Sequence, residues 1–384
     1  MNFTVMAKPV GAACNLECSY CYYRGADLSV MSEETLETFI RQYIEASPGP
    51  VVSFVWHGGE PMLAGLDFYR TALRLQEKYL PSGWECWNNL QTNGTLLNEE
   101  CCAFLAESRF DVGLSIDGTR AVHDAHRGEG THSQAESALR RLQAHGIQPD
   151  LLCTVTAAAA ADPLAIYKAL RSYGTGWLQF IPIVGKAEGV SPAAYGEFLC
   201  AVFDEWAIND QGSTEIQMFA ETKRIWAGGS AGLCWMAPTC GRAIIVEQDG
   251  SVYSCDHFVN PAHRLGNINE THIKELAGLR QQQAFGKAKH PDSCKSCEWF
   301  LLCGGGCPKD RQYLCGGLQK FFEYTKPAMQ LIVALEKSGY APEAVMMRLR
   351  DELRKVWKGV GRNDPCPCGS GRKAKGCCWR KKAF

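Results

Sequence analysis

The residues best able to do chemistry are thiols, and they are grouped. Cys14, Cys18 and Cys21 form C-x3-C-x2-C, followed at once by Tyr22 and Tyr23. Three cysteines on one short loop hold three irons of a cubane and leave the fourth open to a small chelating ligand. A cluster closed by four thiolates has no such vacancy. A second group has the spacing Cys234-x5-Cys240-x14-Cys255, then Cys294-x2-Cys297-x5-Cys303-x3-Cys307-x7-Cys315. Eight thiolates suit two four-cysteine iron–sulfur clusters, or two zinc sites, since S4 geometry serves both. The chain closes with C-x-C-x8-C-C at Cys366, Cys368, Cys377 and Cys378, four thiolates that would close one tetrahedral zinc in a segment too short to fold without it. Cys86, Cys101, Cys102, Cys153 and Cys200 stand apart and read as plain core or helix residues.

Composition sets the compartment and the class. The chain has 384 residues and 20 cysteines, with 40 Lys plus Arg against 41 Asp plus Glu. The near-zero net charge gives no global push toward nucleic acid. Hydrophobic content of 46% with 21% charged residues excludes a disordered chain. No run of about 18 apolar residues occurs, so no membrane span is expected. The start, MNFTVMAKPVGAAC, lacks a basic n-region and an apolar h-region, so no signal peptide is read. The expected location is cytoplasmic. Thiols stay reduced there, which favours metal ligation over a disulfide scaffold.

Alternating elements must carry the first thiol loop. Apolar runs at Phe3–Val5, Val51–Trp56, Trp87–Gln91, Asp111–Ile116, Leu151–Thr156 and Leu178–Ile183 read as strands. Between them Ser32–Ile44, Asp67–Tyr79, Asn98–Ser108, Ser133–His145 and Pro163–Tyr173 carry helical periodicity. Six β-then-α units over 1–184 predict a parallel sheet covered by helices, as a full barrel, a partial barrel or an open sheet. The thiol loop follows the first strand, and sites in such folds lie at the carboxyl ends of strands. Residues 185–233 read as a helical bridge (Ser191–Asn209 and Ile216–Trp226). Residues 234–325 are rich in Cys and Gly and carry one hairpin signal, Ala243–Val246 and Val252–Cys255 around Gln248-Asp249-Gly250. Helices are expected at Pro327–Ser338 and Pro342–Val356 within 326–356. The tail, 357–384, holds eight Lys/Arg against the single acid Asp364.

The first loop resembles the radical S-adenosylmethionine (SAM) superfamily, and further segments match that family in order. Gly58-Gly59-Glu60-Pro61 resembles its Gly-Gly-Glu-Pro segment, Gln91-Thr92-Asn93-Gly94 its TNG turn, and Ser115-Ile116-Asp117-Gly118 its S-[IL]-DG segment. His123-Asp124-Ala125-His126-Arg127 matches H-D-x-x-R. The resemblance implies a partial (β/α)6 TIM-type barrel. It implies a SAM site formed with Tyr20, Gly58, Gly59, Glu60, Ser115 and Arg127. Its chemistry is reductive cleavage of SAM to a 5′-deoxyadenosyl radical that abstracts hydrogen from carbon.

The second group resembles the SPASM auxiliary-cluster domain. By that likeness Cys234, Cys240, Cys255 and Cys307 hold one [4Fe-4S] cluster and Cys294, Cys297, Cys303 and Cys315 the other, so three clusters are implied in all. Cys255-Asp256-His257-Phe258, Gly266-Asn267-Ile268, the run Cys303 to Arg311, and Phe321-Phe322-Glu323-Tyr324 resemble the anaerobic sulfatase-maturating enzymes over about residues 3–335. That family oxidises a Cys or Ser of a sulfatase to Cα-formylglycine. The resemblance makes Asp256 the base, Tyr23 and His57 substrate contacts, and a flavodoxin or ferredoxin the electron donor. The tail resembles the SEC-C motif and is expected to hold Zn2+; its Lys and Arg suit an acidic partner, such as RNA or a protein, or form a solvated basic tail. Two other readings compete. One is a SPASM enzyme making another peptide modification, such as a thioether link. The other is a non-catalytic iron–sulfur or zinc adaptor, disfavoured by the intact three-cysteine loop and its SAM-binding turns.

Overall fold

A computed structural model describes residues 3–25, 28–240, 243–286, 290–366 and 372–376. Among the described residues ten strands run in chain order as β1 (Thr4–Ala7), β2 (Val51–Trp56), β3 (Glu85–Thr92), β4 (Phe110–Ser115), β5 (Asp150–Val155), β6 (Trp177–Pro182), β7 (Glu215–Ile216), β8 (Ala243–Val246), β9 (Ser251–Tyr253) and β10 (Arg264–Asn267). The chain packs as two units that interleave along the sequence. The first comprises Met1–Leu152, Pro238–Pro291 and Cys307–Lys309. The second comprises Cys153–Ala237, Asp292–Gly306 and Asp310–Phe384.

In the first unit an α/β sheet runs β10-β9-β8-β1-β2-β3-β4-β5. Strands β1 to β5 are parallel, and β8 joins β1 in parallel too. Strands β9 and β10 fold back antiparallel, with β10 as an edge. Of the closed, partial and open sheets, the first unit therefore shows the parallel sheet of a partial barrel. The expected hairpin is β8–β9. Its pairing with β1 is long-range, and no local signal announces it.

Periodicity explains the helices that cover this sheet. Helix Glu33–Ala46 turns Leu36, Phe39, Ile40, Tyr43 and Ile44 inward, and the Ser32 side chain caps its start by accepting from the Thr35 amide. Those residues pack on Val52, Phe54 and Trp56 of β2, with Phe39 edge-on to both rings. Burying each such side chain contributes about 1.5–3 kcal/mol. The buried Trp56 indole donates to Asn88 Oδ1 at 2.9 Å, so its one polar group has a partner.

The second unit pairs β6 with β7, and its described residues are mainly helical. Its core includes Phe198, Phe203, Trp206, Phe219 and Phe321. One helix runs Arg311–Lys337, sixteen residues earlier than the expected start at Pro327, and Pro327 lies inside it. Gly316, Gly317 and Pro327 read locally as breakers. Packing overrides them: a Cβ on Gly317 would fall 2.1 Å from the Pro192 carbonyl, so this glycine permits close contact with helix Pro192–Asn209. The short β7 also lies in a stretch read as mainly helical, and takes in Ile216, the expected first residue of a helix.

The five isolated cysteines sit as expected of packing residues. Cys101, Cys102, Cys153 and Cys200 are buried and Cys86 is half-buried. At the tail, Cys366 and Ala374 pack on Leu353 and Trp357. The Cys366 amide donates to the Arg372 carbonyl at 2.8 Å, and the Ala374 amide to that of Asp364 at 2.8 Å. Cys368, Cys377 and Cys378 lie outside the described residues. Among the described residues no helix is long and apolar enough to cross a membrane.

Candidate active site

Parallel strands bring residues that follow their carboxyl ends side by side. Ala7 pairs with Trp56 of β2 and with Val246 of β8. The next residues, Lys8, His57 and Glu247, therefore stand at one rim. The cluster loop leaves β1 there. Its backbone is zipped to the Gly-Gly-Glu segment, with the Gly59 amide donating to Gly11 O at 2.9 Å and the Glu60 amide to Ala13 O at 2.8 Å. A Cβ on Gly59 would fall 1.8 Å from Ala13 O, so only glycine permits this approach.

Cys14, Cys18 and Cys21 are all half-buried and unbridged. Burial pushes the Cys18 thiol up to about 11 and raises Cys14, and their neighbouring thiols push the same way. Three unbridged thiols on one short loop are the donor set that an iron cluster with one open corner takes. Among the described residues no three donors close around a single metal ion. A cubane differs in that its ligand sulfurs stand apart at separate corners. The Cys14 sulfur also accepts from the Leu16 amide at 3.4 Å.

Of the residues expected from sequence at a SAM site, Tyr20 lies on this loop and Arg127 beside it, while Ser115 is bonded to β3. The Tyr20 hydroxyl donates to Asp117 Oδ2 at 2.5 Å, and Arg127 Nε donates to the same oxygen at 2.7 Å. Arg127 Nη2 reaches Asp117 Oδ1 at 3.2 Å. The Arg127 guanidinium, next to Asp117, is held well above its ordinary range although burial opposes its charge. Ser115 Oγ accepts from Gln91 Nε2 at 3.1 Å. Glu60 is fully buried, and its carboxylate accepts from the Met62 amide at 3.1 Å, Thr92 Oγ1 at 2.8 Å and the Asn93 amide at 2.8 Å. It braces β2 against β3, which leaves the Gly58–Glu60 backbone as the part zipped to the loop.

The proposed base lies against the same loop. Asp256 Oδ2 accepts a hydrogen bond from the Tyr22 hydroxyl, and Asp256 Oδ1 stands 2.6 Å from Lys8 Nζ. Burial by itself would raise the Asp256 carboxyl, but Lys8 and His57 outweigh it and hold the group well below the usual carboxylate range. The Tyr23 hydroxyl donates to Glu247 Oε2 at 2.5 Å, and Lys8 Nζ sits 3.2 Å from the Tyr23 ring centroid. His57 Nδ1 accepts from the Gly58 amide at 2.7 Å, and burial lowers the imidazole below its ordinary value. Sequence reasoning missed Lys8 and Glu247. The available signal was their position, each one residue beyond a strand end.

The second thiol group divides between the units. Cys240, Cys255 and Cys307 belong to the first, where a Cβ on Gly286 would lie 2.7 Å from the Cys240 sulfur and 3.6 Å from Pro308. Cys307 Sγ lies 3.5 Å from His257 Nδ1. Cys234 belongs to the second unit, as do Cys294, Cys297, Cys303 and Cys315. In that foursome burial, then Cys297, Cys294 and Cys315, raises Cys303. Gln319 Nε2 lies 3.7 Å from the Cys297 sulfur. Four thiols that act on one another electrostatically are the number that one four-cysteine cluster takes.

Comparison with known proteins agrees with this geometry. The model described as radical SAM superfamily matches residues 9–158, the iron-sulfur cluster-binding domain 234–298, and the SEC-C motif 362–380. The site and sheet thus define a radical SAM protein with a SPASM domain. A serine-type anaerobic sulfatase-maturating enzyme of Bacteroides thetaiotaomicron is 38% identical over 92% of this chain and 96% of that one. A cysteine-type enzyme of Clostridium perfringens is 33% identical over 85% and 97%. The solved structure of native anSMEcpe with bound AdoMet and Cp18Cys peptide is 33% identical, with a TM-score of 0.81 over 86% of this chain and 99% of that one. The chain belongs to the anaerobic sulfatase-maturating enzymes.

Proposed function

We propose that the chain oxidises a Cys or Ser side chain of a sulfatase-type peptide to Cα-formylglycine, with Asp256 as the base. The observation that carries this reading is the hydrogen bond from Tyr22 to Asp256. Tyr22 follows Cys21 directly, so the carboxylate lies beside the loop where hydrogen abstraction would begin. Cys14, Cys18 and Cys21 would hold the cluster that binds SAM. Cys234, Cys240, Cys255 and Cys307, and the set Cys294, Cys297, Cys303 and Cys315, would hold two more.

With these groups bound, the site supplies a 5′-deoxyadenosyl radical for abstraction at the substrate Cβ and a place for the second electron. The chain's own residues do the rest. Asp256 is ionised at neutral pH and takes the S–H or O–H proton of the substrate. Arg127, Tyr20 and the Gly58–Glu60 backbone orient SAM, while Tyr23 and His57 border the peptide. Asp117 holds Arg127 in place. A flavodoxin or ferredoxin fits as electron donor. The basic SEC-C tail fits a Zn2+ ion and an acidic partner.

The test is anaerobic incubation of the reconstituted protein with SAM, reductant and a peptide bearing C-x-P-x-R. A loss of about 18 Da from the Cys peptide, or about 2 Da from its Ser counterpart, supports formylglycine. SAM cleavage without peptide change points to another substrate, and no SAM cleavage points to an adaptor.

A further inference from the structure

We propose that Lys8 is a positioning residue of this site: it anchors one oxygen of Asp256 so that the other is presented to the substrate proton. The proposal rests on the formylglycine reading and names a residue that reading does not contain. Lys8 is completely buried, at 0% exposure, whereas the Asp256 side chain keeps 19%. A buried ammonium persists only where charge partners surround it. Here they are Asp256 Oδ1 at 2.6 Å, Glu247 Oε1 at 3.8 Å and the Tyr23 ring.

The two oxygens of Asp256 are thereby made unequal. Oδ1 is tied to the buried lysine. Oδ2 faces the half-exposed Tyr22 phenol, which holds the hydrogen-bond position a substrate O–H or S–H would take. A half-turn would only exchange equivalent oxygens; what the ion pair with Lys8 sets is the carboxylate plane, so that one oxygen always faces Tyr22. Glu247 Oε1 also stands 3.8 Å from the Lys8 ammonium, and Glu247 is itself held by Tyr23. Lys8 is in turn confined by the Gly-Gly-Glu segment, since a Cβ on Gly58 would come 3.3 Å from Lys8 Cβ. A base fixed in orientation loses less on reaching the proton than one that must be ordered first.

The test is Lys8→Met in the full reconstituted chain, with Lys8→Gln read in the same way if Met is not accepted in the buried slot. Iron content and SAM binding are measured first and are expected to match the unaltered protein. A C-x-P-x-R peptide deuterated at Cβ then reports two events. Deuterium transfer into 5′-deoxyadenosine is expected to continue. Formylglycine per 5′-deoxyadenosine is expected to fall about tenfold or more, with peptide KM within about twofold. Unchanged formylglycine per 5′-deoxyadenosine would overturn the positioning role. Loss of iron from both variants would also overturn it, in favour of a purely structural lysine. If the unaltered protein makes no formylglycine, the function reading fails and this role falls with it.

Discussion

Arg127 Nε and the Tyr20 hydroxyl meet on one oxygen of Asp117, at 2.7 and 2.5 Å, so the segment after β4 is tied to the cluster loop after β1. The Asp117 side chain is 1% exposed and that of Arg127 9%. Asp117→Asn leaves a buried guanidinium without its counter-charge. The expected cost is about 3–5 kcal/mol, together with weaker SAM binding. Thermal unfolding and SAM titration of the reconstituted protein check both.

Asp256→Asn keeps the shape of the side chain and removes its capacity to accept a proton. Formylglycine formation is expected to fall about 100-fold or more, while SAM cleavage in the presence of peptide continues. Mass spectrometry of peptide and 5′-deoxyadenosine from one reaction reads both numbers. Equal loss of both would show that Asp256 serves the fold or SAM instead.

Glu60 makes stability depend on pH with a defined sign. Burial pushes its carboxyl up to about 7, against 4.5 when exposed, despite hydrogen bonds from Asn93, Thr92 and Met62. Between those values the folded chain binds the proton and the unfolded chain does not. The contribution of Glu60 is therefore fully present below pH 4.5 and is lost as pH rises through about 7. The swing is on the order of 3 kcal/mol. Urea unfolding from about pH 5 to about pH 8 should show that slope, and Glu60→Gln should flatten it.

Cys297 lies within the foursome of the second unit and contacts Gln319. Cys297→Ala is expected to lower bound iron by about four per chain and to leave the SAM-sensitive signal of the first loop. Iron analysis and electron paramagnetic resonance with and without SAM measure the two effects. Loss of the SAM-sensitive signal would mean that the foursome is not a separate cluster.

Much of the site was legible because its chemistry is local in sequence. Cys14, Cys18 and Cys21 share one loop, Gly58–Glu60 follow β2, Ser115 ends β4, and Arg127 closes the helix after it. The cysteine spacing points to a cluster with one open corner, the family resemblance supplies its ligand, and strand–helix alternation puts the loop at the carboxyl end of the sheet. The long helix Arg311–Lys337 was less legible, because its glycines and Pro327 are tolerated only through contacts with another helix.

By itself the sequence determined the thiol groups, the parallel sheet and the family. Tertiary structure alone decided that β8 lies beside β1. That pairing sets Glu247 and Asp256 against Lys8, residues far apart along the chain. No periodicity encodes it, because strand partners are chosen by backbone hydrogen bonding and shared burial across the sheet, and neither leaves a mark in the local pattern of either strand.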